Sequence, residues 1–137
     1  MDKGLMLRKL EELERCVSGL ERLRAHDVSA FEKDLEKRWA LERGLFVAIQ
    51  IVLDIGAHML AELGETGIED YTEIIERLGD KGVIPKAFSE RIKAMAGFRN
   101  ILVHEYARVD MRRVYDMLQN HIKDLREFAG YITKGAG

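Results

Sequence analysis

Four polar side chains lie within one short stretch of the 137-residue chain: Arg99, Asn100, His104 and Tyr106. An imidazole titrates near neutral pH, so His104 can take a proton from a 2′-hydroxyl or give one to a leaving oxygen. The guanidinium of Arg99 can bind two phosphate oxygens and offset the charge that grows in the transition state. Asn100 and Tyr106 add neutral hydrogen-bonding groups. Together these groups suit cleavage of an RNA phosphodiester without a metal.

The spacing of Arg99 and His104 sets a geometric condition on this chemistry. Five positions apart, the two side chains diverge by roughly 140° on a regular helix. The last turn of a helix is often irregular, so His104 can swing back towards Arg99 and converge on one phosphate. One such histidine per chain is too few for a separate acid and base, and we expect a two-fold dimer to bring two motifs together.

The pattern Arg-x4-His-x-Tyr, read as Arg99, His104 and Tyr106, resembles the signature of HEPN domains of the HepT-like toxin family. The run GFRNILVHEY at residues 97–106 matches that family closely. The order of predicted helices agrees with the family across nearly the whole chain. The resemblance therefore implies one HEPN domain spanning residues 1–137, an all-α helical bundle that forms a homodimer.

The resemblance also implies a function. HepT-like proteins are similar in being metal-independent endoribonucleases, toxins of type VII toxin–antitoxin pairs, with a composite cleft at the dimer interface. Arg99 and His104 would be catalytic, and Asn100 would position the substrate. The antitoxin partner would be a minimal nucleotidyltransferase of the MntA type that attaches AMP to Tyr106. The added phosphates would compete with RNA for the cleft. No metal or other cofactor is implied.

Charge is unevenly distributed along the chain and leaves a second interpretation open. Residues 62–80 carry a net charge of −6, and residues 86–113 carry +4. The acidic segment could dock a nucleotidyltransferase, with Arg99 and His104 only binding a nucleotide phosphate. The protein would then be a non-catalytic regulatory or binding subunit. A purely structural helical dimer is the third interpretation, and it leaves the polar motif unexplained.

Composition excludes several classes of protein. The 47% share of hydrophobic residues predicts a folded domain, and the net charge of −2 excludes a surface that is basic throughout. The lone cysteine, Cys16, excludes an intrachain disulfide and a thiolate zinc site, and it fits the cytoplasm. We expect no signal peptide and no membrane partner, because residues 1–20 carry charges throughout.

Apolar residues recur at steps of three and four, which predicts helices, and the single proline favours long ones. Four long helices and one short helix are expected, at residues 5–24, 30–63, 70–79 (the short one), 85–105 and 110–132. Start signals support three of them: Ser29 with Glu32, Asp70 with Glu73, and Asp110.

The second long helix holds the most apolar run of the chain, residues 45–63. Gln50, Asp54 and His58 interrupt it at steps of four, so they share one face. Because these groups are costly in lipid, we predict a buried helix rather than a membrane span. The polar face could orient His58 through Asp54, line the cleft, or form a hydrated seam between subunits. Trp39, near the start of this helix, is expected to pack.

Overall fold

The computed structural model describes residues 3–104 and 110–136 of the chain. These ranges hold eight helices and no strand, which confirms the all-α prediction. The helices are α1 (Lys3–Leu23), α2 (Val28–Lys33), α3 (Leu35–Glu62), α4 (Tyr71–Asp80), α5 (Lys86–Ile92), α6 (Ala94–His104), α7 (Met111–Asn120) and α8 (Ile122–Ala136).

The long helix α3 is the centre of the bundle, with every other helix except α5 packed against it. The apolar residues of its second half point in most directions and are largely buried, as the sequence predicts. By length and composition alone α3 could also cross a membrane. Its packing identifies it as the core helix, since half of its most apolar stretch is buried against the other helices. Its buried side chains include Leu41, Leu45, Ile49, Leu53, Ile55 and Leu60.

Three of the predicted long helices are divided, so the expected number of helices was wrong. The second long helix breaks at Asp34, whose carboxylate accepts hydrogen bonds from the amides of Glu36 (3.0 Å) and Lys37 (3.3 Å) and so starts α3 afresh. The other two breaks, at Lys93 and His121, have no such signal in the sequence. The last helix also runs further than predicted, to residue 136.

Capping explains where the other helices begin. The carboxylate of Asp70 accepts from the amide of Glu73 at 2.8 Å, and Asp110 starts α7 in the same way, so both predictions are confirmed. The predicted start at Ser29 was wrong by two residues. Asp27 caps α2, and the Ser29 hydroxyl donates to its carboxylate at 2.8 Å. An aspartate accepts more strongly than a hydroxyl because it is charged.

Helices α4 and α6 lie side by side on α3, and this arrangement builds the site. The close approach of α4 depends on Gly56 of α3. A Cβ atom at that position would lie 2.9 Å from both Ile74 Cγ2 and Leu78 Cδ1. On α6, the buried Met95 and Phe98 anchor the helix. Arg99, which follows Phe98, can therefore lie between α3 and α4.

Candidate active site

Arg99 lies on α6 at the junction of three helices, half-buried, with an aromatic ring from each of the other two nearby. Its guanidinium carbon is 4.5 Å from the ring centroid of Tyr71, the first residue of α4. The ring centroid of Phe46, on α3, is 5.5 Å away. Both distances are within the range of cation–π attraction. The rings therefore limit how far the guanidinium can move without neutralising its charge.

The hydrogen bonds of Arg99 go to neutral oxygens. Its Nε donates to Oε1 of Gln50 at 2.8 Å, and its Nη1 donates to Oδ1 of Asn100 at 3.0 Å. Within residues 3–104 and 110–136, no carboxylate lies within ion-pair distance of Arg99. A guanidinium has five N–H groups, so donors remain for an anion.

The polar face of α3 reaches this site through Gln50, which bonds to Arg99. The amide nitrogen of Gln50 donates to Oδ1 of Asp54 at 2.9 Å, and Nζ of Lys9, on α1, lies 3.9 Å from Oδ2. His58 is exposed, and among the described side chains it is not a partner of Asp54. Two members of the predicted stripe therefore belong to the site, and His58 does not.

A cleft of about 430 Å³ opens beside Arg99. Residues 68–71 and Ile74, which include the acidic Glu69 and Asp70, line one side, and Arg99 and Asn100 line the other. The exposed amide of Asn100 stands at the mouth. An anion in this cleft would meet the remaining donors of Arg99 and the neutral amide of Asn100, while the acidic side of the cleft confines it to the Arg99 end.

A second groove of about 430 Å³ is lined by Phe46, together with Trp39, Glu42, Arg43, Leu102 and Val103. Trp39 is 59% exposed, so the prediction that it packs was wrong. Burial raises the pKa of Glu42 above its ordinary value. The groove is thus largely apolar and adjoins the motif-bearing helix.

Two predicted site residues, His104 and Tyr106, lie at or beyond the edge of the described part of the chain. His104 is the last residue of α6, at a helix end as the sequence predicts. Tyr106 lies outside the described residues. Whether the two side chains approach Arg99 therefore stays a prediction. Among the described residues, no group of three His, Cys, Asp or Glu side chains is placed to hold a metal ion.

Three lysines and arginines of the basic segment 86–113 form ion pairs with described carboxylates. The pairs are Lys86 with Asp80, Arg91 with Asp124 and Glu127, and Lys93 with Glu90. Arg99 differs because its partners are neutral or aromatic. Arg112 and Arg113 are exposed and have no described ion pair either, so Arg99 is distinguished by its aromatic and amide contacts and not by being the one free cation of the described segment. In the acidic segment 62–80, Arg77 likewise pairs with Glu65 and Glu73.

Two residues of the site were not predicted from the sequence: Phe46 and Tyr71. Tyr71 directly follows the helix cap Asp70, and its ring turns towards α6. Neither residue belongs to a sequence motif that would identify it as part of an active site. Only the packing of α3, α4 and α6 brings the rings to Arg99.

Comparison with known proteins identifies the family and agrees with this fold. The sequence profile of a family described as Ribonuclease HepT-like matches residues 6–132. A putative RNase of Archaeoglobus fulgidus is 30% identical over 136 residues, covering 99% of this chain and 96% of the relative. The mRNA nuclease HepT of Shewanella oneidensis is 24% identical over 129 residues, covering 93% of this chain and 96% of the relative.

A solved structure has the same fold. It is the tri-AMPylated HEPN toxin of Shewanella oneidensis in complex with an MNT antitoxin. It superimposes with a TM-score of 0.86 at 22% identity and covers 98% of this chain and 99% of that one. At this level of identity the likeness establishes the HEPN architecture of the chain.

Proposed function

The chain belongs to the ribonuclease HepT-like family, and from that membership we propose that it is the RNA-cleaving toxin of a toxin–antitoxin pair, with Arg99 and His104 at its active site. The enzyme class, ribonuclease, is that of the family. One observation on this chain carries the assignment to Arg99. Its guanidinium is held between two rings and two neutral oxygens, with no described carboxylate within ion-pair distance.

The reaction we propose needs one anion site and two proton transfers. Arg99 binds the scissile phosphate and stabilises the charge that develops on its oxygens. The 2′-oxygen of RNA bonds to phosphorus, and the bond from phosphorus to the 5′-oxygen breaks. One His104 imidazole takes the 2′-hydroxyl proton, and a second His104 gives a proton to the departing 5′-oxygen. No metal ion is required in this scheme.

A second copy of the chain supplies the second imidazole. The apolar groove around Trp39 and Phe46 supports this part of the proposal, because it also includes Leu102 and Val103 of the motif-bearing helix. An exposed tryptophan beside such a groove favours burial against another protein. A homodimer that covers this groove would bring the two copies of α6, and so both motifs, close to the two-fold axis.

Regulation would act at Tyr106, which follows His104 by two positions. We propose that a nucleotidyltransferase of the MntA type attaches AMP to the Tyr106 hydroxyl. The added phosphates carry negative charge next to Arg99, so they would occupy the position that the RNA phosphate needs. The solved neighbour, an AMPylated HEPN toxin bound to an MNT antitoxin, supports this. The pair would function in the cytoplasm.

RNA cleavage in the presence of EDTA tests the catalytic assignment. The wild-type chain and His58→Ala should degrade RNA, whereas His104→Ala should leave it intact. His58 is the matched control, since it is an exposed histidine outside the site. If wild type and His104→Ala leave equal amounts of RNA, the catalytic proposal fails. Co-purification with a nucleotidyltransferase without any cleavage would then favour the binding-subunit interpretation.

A further inference from the structure

We propose that Gln50, itself held by Asp54, is a positioning residue that fixes the orientation of the Arg99 guanidinium in the cleft. Nε of Arg99 donates to Oε1 of Gln50 at 2.8 Å, and Nε2 of Gln50 donates to Oδ1 of Asp54 at 2.9 Å. The two bonds form a chain from the core helix α3 to the motif on α6. The role in catalysis rests on the proposed function, whereas the structural role does not.

Both ends of this chain allow only one orientation of the Gln50 amide. The Nε–H of Arg99 can only donate, so it requires the oxygen of Gln50. The Oδ1 atom of Asp54 accepts at this contact, so it requires the nitrogen of Gln50. A reversed amide would face a donor with a donor and an acceptor with an acceptor. Asp54 therefore selects the amide orientation that presents an acceptor to Arg99.

A neutral partner suits an arginine that must bind a phosphate. A carboxylate at position 50 would form an ion pair with Arg99 and compete with an incoming anion. The amide oxygen holds Nε while leaving the full positive charge of the guanidinium in place. Since Nε is occupied and Nη1 also donates to Asn100, the remaining donors lie at the outer end of the group. Those donors can address the phosphate.

Partial burial removes water from the Asp54 carboxylate, and a lysine on α1 offsets part of that loss. Asp54 is half-buried, and Nζ of Lys9 lies 3.9 Å from its second oxygen. The network thus joins α1, α3 and α6 through Lys9, Asp54, Gln50 and Arg99. Because the Lys9–Asp54 contact is long, we expect Lys9 to contribute less than Asp54 to holding Gln50 in place.

The first test measures the hydrogen bond itself and needs no RNA. Exchange of the Arg99 Nε–H proton is followed by nitrogen–proton NMR of the full chain, with the signal assigned through its loss in Arg99→Lys. We expect exchange to accelerate by about tenfold or more in Gln50→Met and Asp54→Leu, because each removes one bond of the chain. Asp54→Asn keeps an acceptor oxygen and should stay near wild type. His58→Gln is the matched control on the same helix face.

The second test separates positioning from mere stability. The assay measures cleavage of single-stranded RNA. Gln50→Met should lower kcat by about tenfold or more with a smaller change in KM, since a displaced guanidinium stabilises the transition state poorly. Gln50→Glu keeps an acceptor for Arg99 but loses the donor to Asp54 and places two carboxylates side by side, so it should lower kcat as Gln50→Met does and also raise KM. Asp54→Asn should restore most of the activity that Asp54→Leu loses.

Two results would overturn the proposal. One is exchange of the Arg99 proton at the wild-type rate in folded Gln50→Met. The other is equal kcat for Asp54→Asn and Asp54→Leu in an active enzyme. If the wild-type chain cleaves no RNA, the proposed function fails, while the exchange measurement still decides whether Gln50 and Asp54 hold Arg99.

Discussion

The guanidinium carbon of Arg99 lies 4.5 Å from the centroid of the Tyr71 ring, and this contact ties the motif on α6 to the start of α4. Tyr71→Phe keeps the ring, so it should leave kcat/KM for RNA close to wild type. Tyr71→Leu removes the cation–π partner, and we expect kcat/KM to fall by about threefold or more, equivalent to an exposed cation–π contact. Equal kcat/KM for the two variants would show that the ring does not hold Arg99.

The motif tyrosine should be the site of AMP addition. Incubation with an MntA-type nucleotidyltransferase and ATP should raise the mass of the chain by one or more AMP units. Tyr106→Phe should gain no mass, because the ring then has no hydroxyl to modify. Full modification of Tyr106→Phe would assign the acceptor to another residue. The matched control is Tyr131→Phe, which changes a tyrosine on α8 and should leave the addition intact.

Packing between α4 and α5 depends on a glycine. A Cβ atom on Gly79 would overlap the hydroxyl of Ser89, which is 1% exposed and donates to the carbonyl of Lys86 at 2.8 Å. Gly79→Ala should lower the free energy of unfolding by about 1–3 kcal/mol, measured by urea denaturation. Gly130→Ala is the control. Open space surrounds that position in α8, so the variant should be neutral or more stable by up to about 1 kcal/mol.

Stability should decrease in acid partly through Glu14. A hydrogen bond from Arg126 holds the pKa of Glu14 below its ordinary value of 4.5. A lowered pKa means that the contribution is complete above pH 4.5 and is lost as the pH falls through the folded-state pKa. Because the Glu14 side chain is 56% exposed, Glu14→Gln should cost less than about 1 kcal/mol at pH 7.

Urea denaturation of wild type and Glu14→Gln at several pH values measures this effect. The difference in the free energy of unfolding between the two proteins should shrink towards zero below pH 4.5. A difference that stays constant with pH would mean that the Arg126 contact does not depend on the charge of Glu14.

Local signals in the sequence were sufficient to predict much of the fold. The caps at Asp70 and Asp110 are set by residues within one turn, so they were predicted correctly. Asp34 was missed as a helix start because it stands inside a run of charged residues with good helix propensity. The breaks at Lys93 and His121 have no local signal in the sequence, so they were not predicted.

The candidate site was predictable only in part. Arg99 was identified by its chemistry and its motif, and one proposed role of the polar face on α3 placed that face at the cleft. The bond from Arg99 to Gln50 joins residues 49 positions apart, so only the packing of α3 against α6 creates it. The rings of Phe46 and Tyr71 reach Arg99 for the same reason. The exposure of Trp39 was missed because a tryptophan usually packs in the core.

Mixing active and inactive chains tests the shared active site most directly. Wild type is unfolded and refolded with an equal amount of His104→Ala, and RNA cleavage is measured in EDTA. If each cleft needs the imidazoles of both copies, only wild-type homodimers, about one quarter of all dimers, remain active. Cleavage at about one quarter of the rate of an equal amount of fully wild-type dimers is the predicted result. A rate of about one half would show that each chain works alone, and it would contradict the composite cleft.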